Sequence, residues 1–213
     1  NSALRPLSAC VKGLAALWSG TVPTAGSDPS VNRDIPRAQD QLFGSGSAVA
    51  KYRALVVGAP GLWALIRYEL VVLLAQAMPG ALGLALRRVL YPRMLGRVGR
   101  NVTFGQNVVF RHPHKVRIGD NVVIDDNCLV DAKGTSNTGI TIGSGVFIGR
   151  NTILSTKNGD IEIEDHANIG FNCEIFSASR VRIGQGTLVA AYSYLVGGDH
   201  DVRGRQHGVL EQG

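Results

Sequence analysis

The chain has 213 residues, of which 22 are basic and 16 are acidic, so its formal net charge is +6. An apolar content of 45% with only 18% charged residues excludes a chain that is disordered throughout. The three cysteines (Cys10, Cys128 and Cys173) are odd in number and share no CxxC spacing. They therefore indicate neither a disulfide framework nor a structural zinc site, and a reducing compartment is the simplest interpretation.

The positive charge comes mostly from arginine and is concentrated in one stretch. Its members are Arg67, Arg87, Arg88, Arg93, Arg97 and Arg100. Aromatic residues make up only 6% of the chain, and no RNA-binding or helix-turn-helix pattern is present, so we expect no nucleic-acid partner. Basic residues beside apolar helices fit a membrane surface or an anionic substrate better.

The first part of the chain, residues 1–47, mixes Gly, Pro, Ser and Asp with one short apolar patch at 11–18. This composition predicts a leader or linker that is partly disordered and holds at most one short helix.

Residues 48–98 have the pattern of apolar helices. A first run, 62–78, is interrupted by Pro79-Gly80, and a second helix is expected from about 81 to 95. The first run contains Arg67 and Glu69 and is shorter than the roughly 20 mostly uncharged residues that span a bilayer. We therefore expect these helices to lie in a membrane interface, or to pack on the rest of the protein or on a sister subunit.

From Phe104 onward, aliphatic residues recur every six positions, and Phe104 and Phe110 look like an incomplete first turn. The complete triplets are Ile118, Ile124 and Val130; Ile142, Ile148 and Leu154; Ile163, Ile169 and Ile175; and Ile183, Val189 and Leu195. Successive triplets begin 24, 21 and 20 residues apart, which is 18 plus insertions of 6, 3 and 2. Self-similarity at a short fixed period is typical of a solenoid.

The residues between the aliphatics predict the shape of each coil. A small or branched residue lies four positions after most aliphatics, and Asn or Gly often precedes it, as at Asn121 and Asn151. Asn and Gly suit a corner with a left-handed backbone. Each six-residue unit is therefore a short strand plus a tight corner, and three units make one triangular coil. Cys128 and Cys173 occupy the small inward position, so we expect them to be buried and inert.

Residues 101–201 resemble the hexapeptide-repeat acyltransferases, whose fold is a left-handed parallel β-helix. The motifs are NVTFGQNV, VRIGDNVVI, GITIGSGVFIGRNTIL and IGFNCEIFSASRVRIGQGTLVAAYSYLVGGDHD, and they are most similar to maltose, galactoside and capsular-polysaccharide O-acetyltransferases. The resemblance implies a β-helix domain over 99–213, a homotrimer with sites between neighbouring subunits, acetyl-CoA or another acyl-CoA as donor, and a histidine base. Since members of the family have further coils, we expect this domain to be incomplete at its C-terminus.

The histidine implied by the resemblance is His200. After Leu195 the repeat stops, and Gly197-Gly198 allows the chain to leave the coil and hold Asp199-His200-Asp201 on a loop. Histidine has an unperturbed pKa suited to taking a hydroxyl proton near neutral pH. Asp199 or Asp201 would orient the imidazole.

Four residues near this loop are candidates for binding the acceptor: Asn172, Tyr192, Tyr194 and Gly198. Asn172 is equally well interpreted as a turn residue, and the two tyrosines as contacts with a neighbouring subunit. The remaining histidines carry weaker signals. His112 and His114 lie before the first full coil, and His166 is expected to be exposed at a corner.

Together these features predict an acyl-CoA-dependent O-acyltransferase that modifies a hydroxyl of a sugar or glycan precursor without a metal. The apolar helices suggest a lipid-linked acceptor, a cytoplasmic location and peripheral association with the cytoplasmic face of a membrane. Two alternatives stay open. One is a non-catalytic β-helix scaffold, and the other is a zinc enzyme like the γ-type carbonic anhydrases, which need three converging histidines.

Overall fold

The computed structural model describes residues 45–198. This part of the chain begins with helices: α1 (Ala48–Tyr52), a π-helical segment (Arg53–Val57), α2 (Leu62–Val71), a second π-helical segment (Val72–Gln76), α3 (Gly80–Leu90) and a 3₁₀ segment (Tyr91–Arg93). The leader predicted for 1–47, including its short helix, lies almost entirely outside the described residues.

The helical prediction for 48–98 differs from the structure at two points. The first apolar run changes from α- to π-helical geometry at Val72 and ends at Gln76, shortly before Pro79. The second helix was predicted to reach residue 95, but α3 ends at Leu90 and Pro92 lies in the short 3₁₀ segment that follows. Proline lacks the amide hydrogen that would continue the α-helical hydrogen bonds.

Fifteen short strands then form three parallel sheets. The strands are β1 (Arg97–Val98), β2 (Thr103–Phe104), β3 (Val109–Arg111), β4 (Val116–Ile118), β5 (Val123–Ile124), β6 (Leu129–Asp131), β7 (Ile140–Ile142), β8 (Phe147–Ile148), β9 (Ile153–Thr156), β10 (Ile161–Ile163), β11 (Asn168–Ile169), β12 (Glu174–Ser177), β13 (Val181–Ile183), β14 (Leu188–Val189) and β15 (Tyr194–Gly197). The sheets have the orders β1-β4-β7-β10-β13, β2-β5-β8-β11-β14 and β3-β6-β9-β12-β15. Every third strand therefore returns to the same sheet, which confirms the predicted three-sided parallel β-helix.

The repeating aliphatic residues stack in register inside the helix. Ile142, for example, pairs with Ile163, and Ile163 pairs with Ile183 in the next coil. The interior is almost completely buried, with Ile124 and Ile148 both at 0% exposure. The first turn was predicted to be incomplete, and this was wrong. Val98 on β1 pairs with Ile118 on β4, so Val98, Phe104 and Phe110 form a full coil.

Two of the three corners carry a column of residues with left-handed backbone. One column is Asn101, Asn121, Gly145, His166 and Gly186, and the other is Asn107, Asn127, Asn151, Asn172 and Tyr192, all with φ between 55° and 69°. Asparagine amides hydrogen-bond between coils, as where Asn151 Nδ2 donates to Asn172 Oδ1 at 3.0 Å. The predicted Asn and Gly corners are therefore confirmed. The insertions that lengthen the repeat lie at the third corner, between the third strand of one coil and the first strand of the next.

The helices close the first coil from below. The Tyr91 ring packs edge-to-face on the inward-facing rings of Phe104 and Phe110, at centroid distances of 5.1 and 5.4 Å, and its hydroxyl donates to the Val108 carbonyl. The Tyr68 hydroxyl donates to the Phe110 carbonyl at 2.8 Å. Burial raises the pKa of Tyr68 to about 12, so this group remains a donor at physiological pH.

Arg87 is a buried cation at the centre of this junction, with 2% exposure. Its guanidinium donates to the carbonyls of Ala75, Met78 and Phe104 at 3.1, 2.7 and 2.9 Å. Two of these carbonyls lie at the C-terminal end of the preceding helix, where the helix dipole favours a positive charge. Gly83 is required beside it because an added Cβ would lie 1.9 Å from the Met78 carbonyl oxygen.

We predict that Arg87→Met destabilises the protein by about 3 kcal/mol, because three buried carbonyls lose their donor. The neighbouring Arg88 is exposed, so the matched variant Arg88→Met should change the free energy of unfolding by less than about 0.5 kcal/mol. Urea unfolding of both variants measures the difference. Equal effects would show that Arg87 does not hold the helices on the β-helix.

Candidate active site

The last described coil ends at a defined exit point. The Gly197 carbonyl accepts hydrogen bonds from the amides of Ala178 and Ser179 at 2.8 and 3.0 Å. Gly197 itself is required, since a Cβ there would lie 2.4 Å from Val181 Cγ2. Gly198 follows with φ of +113°, a conformation that favours glycine. The last described strand therefore ends at the third corner with Gly197, and Gly198 follows it. We call these two glycines the exit.

The predicted catalytic residues come directly after this exit in the sequence. Asp199, His200 and Asp201 lie outside the described residues, so their assignment stays a prediction. Gly198, predicted to bind substrate, is described and exposed.

The third-corner loops beneath the exit are held together by buried and half-buried polar contacts. Lys115 Nζ donates to the Gly134 carbonyl at 2.7 Å and to Asn137 Oδ1 at 2.9 Å. Asp160 Oδ1 accepts from the amides of Thr138 and Gly139, each at 2.8 Å. Burial lowers the pKa of Lys115, partly offset by the negative field of Asp160. These contacts link the third-corner loops of successive coils to one another.

Further polar contacts involve the loop after β12, whose Ala178 and Ser179 amides bind the Gly197 carbonyl. The Ser177 hydroxyl lies 2.9 Å from the Asp160 carbonyl oxygen and 2.7 Å from that of Ser179. The loop after β12 is thereby tied to the loop after β9, and Gly197 binds to the upper loop. The position of Gly197 therefore depends on hydrogen bonds to the third-corner loops, where the insertions lie, as well as on the six-residue repeat.

Aromatic side chains line the outside of the last two coils. Tyr192 packs edge-to-face on Phe171 at 5.9 Å, and the Arg150 guanidinium lies 5.2 Å from the centre of the Phe171 ring. Tyr194 lies 5.7 Å from Phe176. Tyr192 and Tyr194 are 75% and 64% exposed. Tyr192 lies at the corner before β15 and Tyr194 at the start of β15, and both side chains are exposed to solvent on the last described coil.

Tyr192 has an unusual backbone. It occupies the corner position held by Asn107, Asn127, Asn151 and Asn172 in the other coils, with φ of 62°. A bulky residue rarely adopts this conformation, and such strain is concentrated at functional sites. Asn172, by contrast, is accounted for as a corner residue whose side chain accepts from Asn151.

The prediction named Asn172, Tyr192 and Tyr194 but missed Phe171, Phe176 and Arg150. The six-residue period does show that Phe171 directly precedes a corner residue. It also aligns Arg150 with Phe171 in the neighbouring coil, because each lies two residues after a paired aliphatic. The contact between the guanidinium and the ring depends on side-chain conformations, which the period does not show.

Comparison with known proteins addresses the repeat and the fold. Residues 97–132 match the family model described as the hexapeptide repeat of succinyl-transferase, and these residues form the first coil and most of the second. The same six-residue unit continues to β15 in the structure. The six-residue repeat of this family model is therefore present through the five described coils.

Solved structures of hexapeptide-repeat proteins are similar to this one. A hexapeptide-repeat-containing acetyltransferase from Vibrio cholerae is 23% identical, with a TM-score of 0.50 over 75% of this chain and 90% of that chain. A structure of that Vibrio protein complexed with acetyl coenzyme A gives 23% identity and a TM-score of 0.49 over 76% and 90%. Serine acetyltransferase isoform 3 from Entamoeba histolytica, in complex with cysteine, is 18% identical, with a TM-score of 0.29 over 81% and 59%. At this identity the likeness concerns the fold. No curated protein matches the chain in sequence.

The three histidines among the described residues, His112, His114 and His166, lie at corners or between strands of the β-helix. His112 is buried, its Nε2 lies 3.1 Å from the Ala54 carbonyl oxygen, and its Nδ1 lies 3.6 Å from Asp131 Oδ1. Burial lowers the pKa of His114, and the positive fields of His112 and Lys115 act in the same direction. His166 is exposed at a corner, as predicted. Within residues 45–198, no group of three or more His, Cys, Asp or Glu side chains is arranged to hold a metal ion.

Cys128 and Cys173 are buried at 1% and 0% exposure, which confirms their predicted inward position. Burial raises the pKa of Cys128 to about 11. Its Sγ lies 3.2 Å from the Gly149 carbonyl oxygen, and Cys173 Sγ lies 3.1 Å from that of Ala190. Neither buried thiol is positioned as a nucleophile.

We predict that Cys128 and Cys173 resist alkylation in the native protein at pH 8. They are shielded, and a thiol with a pKa near 11 is only about one-thousandth thiolate at that pH. Mass spectrometry of labelled peptides with and without denaturant measures both sites. Rapid native labelling of Cys128 would contradict the buried inward position.

Proposed function

We propose that the protein is an acyl-CoA-dependent O-acyltransferase, with acetyl-CoA as the expected donor and a hydroxyl of a sugar or glycan precursor as the acceptor. The observation that carries the proposal is the exit at Gly197–Gly198, after which the sequence continues Asp-His-Asp. The fold is shared with a protein named as an acetyltransferase, and the matching family model is described for a succinyltransferase. Both descriptions are of acyl transfer.

In the proposed reaction His200 is the general base. Its neutral imidazole accepts the proton of the acceptor hydroxyl as that oxygen attacks the thioester carbonyl carbon. The C–O bond forms, the C–S bond breaks, and the imidazolium returns the proton to the departing thiolate. Asp199 or Asp201 accepts a hydrogen bond from the other ring nitrogen, which sets the tautomer that can act as base.

We place acceptor binding on the outer surface of the last two described coils, at Tyr192, Tyr194 and Asn172. A tyrosine offers an apolar ring face and a hydroxyl together, and loses little conformational entropy when it orders a ligand. Contacts with Phe171 and Phe176 fix the two rings. A Cβ on Gly198 would lie 3.0 Å from Ala178 Cβ, so a side chain at this position would crowd the loop after β12.

We further propose that the protein works as a homotrimer, with the donor bound in a cleft between neighbouring subunits. Val196 on β15 is 52% exposed. Exposed apolar side chains beside strand edges favour coverage by further protein.

The first test is the rate of thiol release from acetyl-CoA in the presence of a panel of sugars and glycolipids. His200→Ala should lower kcat by about 10²–10⁴, the usual contribution of a general base. His207→Ala is the matched control, since it removes a histidine seven residues away in the same C-terminal stretch. Asp199→Asn and Asp201→Asn identify the orienting carboxylate, because only the variant that loses the correct tautomer should lose rate.

A different result would favour the scaffold alternative. If the wild-type protein binds no coenzyme A in calorimetry and His200→Ala leaves every measured property unchanged, the catalytic assignment is wrong.

The acceptor surface has its own test. We predict that Tyr194→Ala raises KM for the acceptor about three- to tenfold, the effect of losing one aromatic contact, while KM for the acyl-CoA stays unchanged. Leu188→Ala is the control because it also truncates an exposed side chain on the last coil. Equal changes in both KM values, or in both variants, would remove Tyr194 from the acceptor site.

A further inference from the structure

The outward side of the helices is strongly apolar. Trp63, Leu70 and Leu73 are 76%, 52% and 79% exposed along α2 and the π-helical segment that follows it. The opposite side of the same helical run is buried in the core through Tyr68, Val71 and Ala75. The exposed side chains are therefore not needed to hold the helices in place.

The apolar surface continues from α2 to α3. Trp63, Ile66, Leu70 and Leu74 line a shallow groove with Leu90 at the end of α3. Leu82, Leu84 and Val89 are also exposed on α3. We call this continuous surface, from Leu62 to Leu90, the helical face. Contiguous apolar patches of this kind mark interaction sites on folded proteins.

The net charge of the protein resides in the same segment. Residues 45–98 contain seven Lys and Arg but only one acidic residue, Glu69, whereas the rest of the chain has fifteen basic and fifteen acidic residues. Glu69 accepts a hydrogen bond from the Tyr52 hydroxyl at 2.6 Å. Arg67 on α2 and Arg88 on α3 are exposed within the helical face, and Arg93 is exposed in the 3₁₀ segment that follows it. Arg87 is buried and is not available to a ligand. Exposed positive charge therefore accompanies the exposed apolar residues.

We propose that the helical face docks on the surface of a bilayer that contains anionic phospholipid. Its apolar side chains enter the boundary between headgroups and acyl chains, and the surrounding arginines bind lipid phosphates. A second copy of the chain fits this face less well, because face-to-face pairing would bring two strongly positive segments together. Anionic headgroups neutralise that charge.

The lengths of the helices favour a position in the plane of the interface. No single helix in the described part of the chain is long and apolar enough to cross a membrane. Leu62–Gln76 has fifteen residues and measures about 22 Å, against roughly 30 Å of hydrocarbon. The pair Ala48–Val57 and Leu62–Gln76 meets the length and composition requirement together, but it is bent by 65°. This inference does not depend on the acyl transfer proposed above.

Trp63 provides a reporter for the test. The chain contains two tryptophans, Trp18 and Trp63, so the full-length Trp18→Phe protein carries its only indole on the helical face. With vesicles of phosphatidylcholine and phosphatidylglycerol we expect flotation with the vesicles and a blue shift of Trp63 emission. With phosphatidylcholine alone we expect weak binding. Added salt should weaken binding to the anionic vesicles.

Matched charge variants locate the contact. Leu70→Glu and Leu73→Glu should each lower the vesicle partition coefficient at least about tenfold, because each places a carboxylate in the interface. Leu188→Glu adds the same charge at an equally exposed leucine on β14 and should bind like the parent protein. Circular dichroism confirms that each variant is folded.

Three outcomes would overturn the proposal. The first is equal binding by the Leu70, Leu73 and Leu188 variants. The second is a change of oligomeric state in Leu73→Glu without lipid, which would assign the face to a second copy. The third is Trp63 emission that is already blue-shifted and protected from quenching without vesicles, which would show that the face is covered by the chain itself.

Discussion

The structure depends on a column of aliphatic side chains that no coil can bury alone. Ile118, Ile142 and Ile163 are shielded from water only because each lies between the coils above and below it. A stack of this kind needs a cover at its ends. At the first coil the cover is made by Tyr91 and Arg87, which seal the interior with a ring contact and with hydrogen bonds to backbone carbonyls. The helices are therefore part of the β-helix core and not an attached accessory.

The three corners of the β-helix differ in how regular they are. Two corners repeat a left-handed residue in every coil, and their asparagines hydrogen-bond from one coil to the next. The third corner accepts insertions, and these loops bind one another through Asn137 and Asp160. The last described strand ends at that same corner, at Gly197. Variation in length is thus confined to the side of the molecule where the candidate active site begins.

The helices at the first coil expose apolar residues on their outward side. They use one side to close the first coil and present an apolar, positively charged side to solvent. The β-helix needs only the inward side, through residues such as Tyr68 and Ala75. If the outward side binds anionic lipid, the coils would be held beside a membrane while the exit at Gly197 remains on the last coil.

The sequence alone determined the repeat, because a six-residue period of aliphatic residues fits only one kind of backbone. It also determined the buried state of Cys128 and the left-handed corner at Asn172, since each follows from its place in the repeat. The same period places Val98 six residues before Phe104 and aligns Arg150 with Phe171, although the first turn was predicted to be incomplete. It could not determine that the Arg150 guanidinium lies over the Phe171 ring, because that contact depends on side-chain conformations in two coils. Tertiary structure alone decided that Arg87 is a buried cation, because its three carbonyl partners come from separate segments that meet only when the helices close the coil.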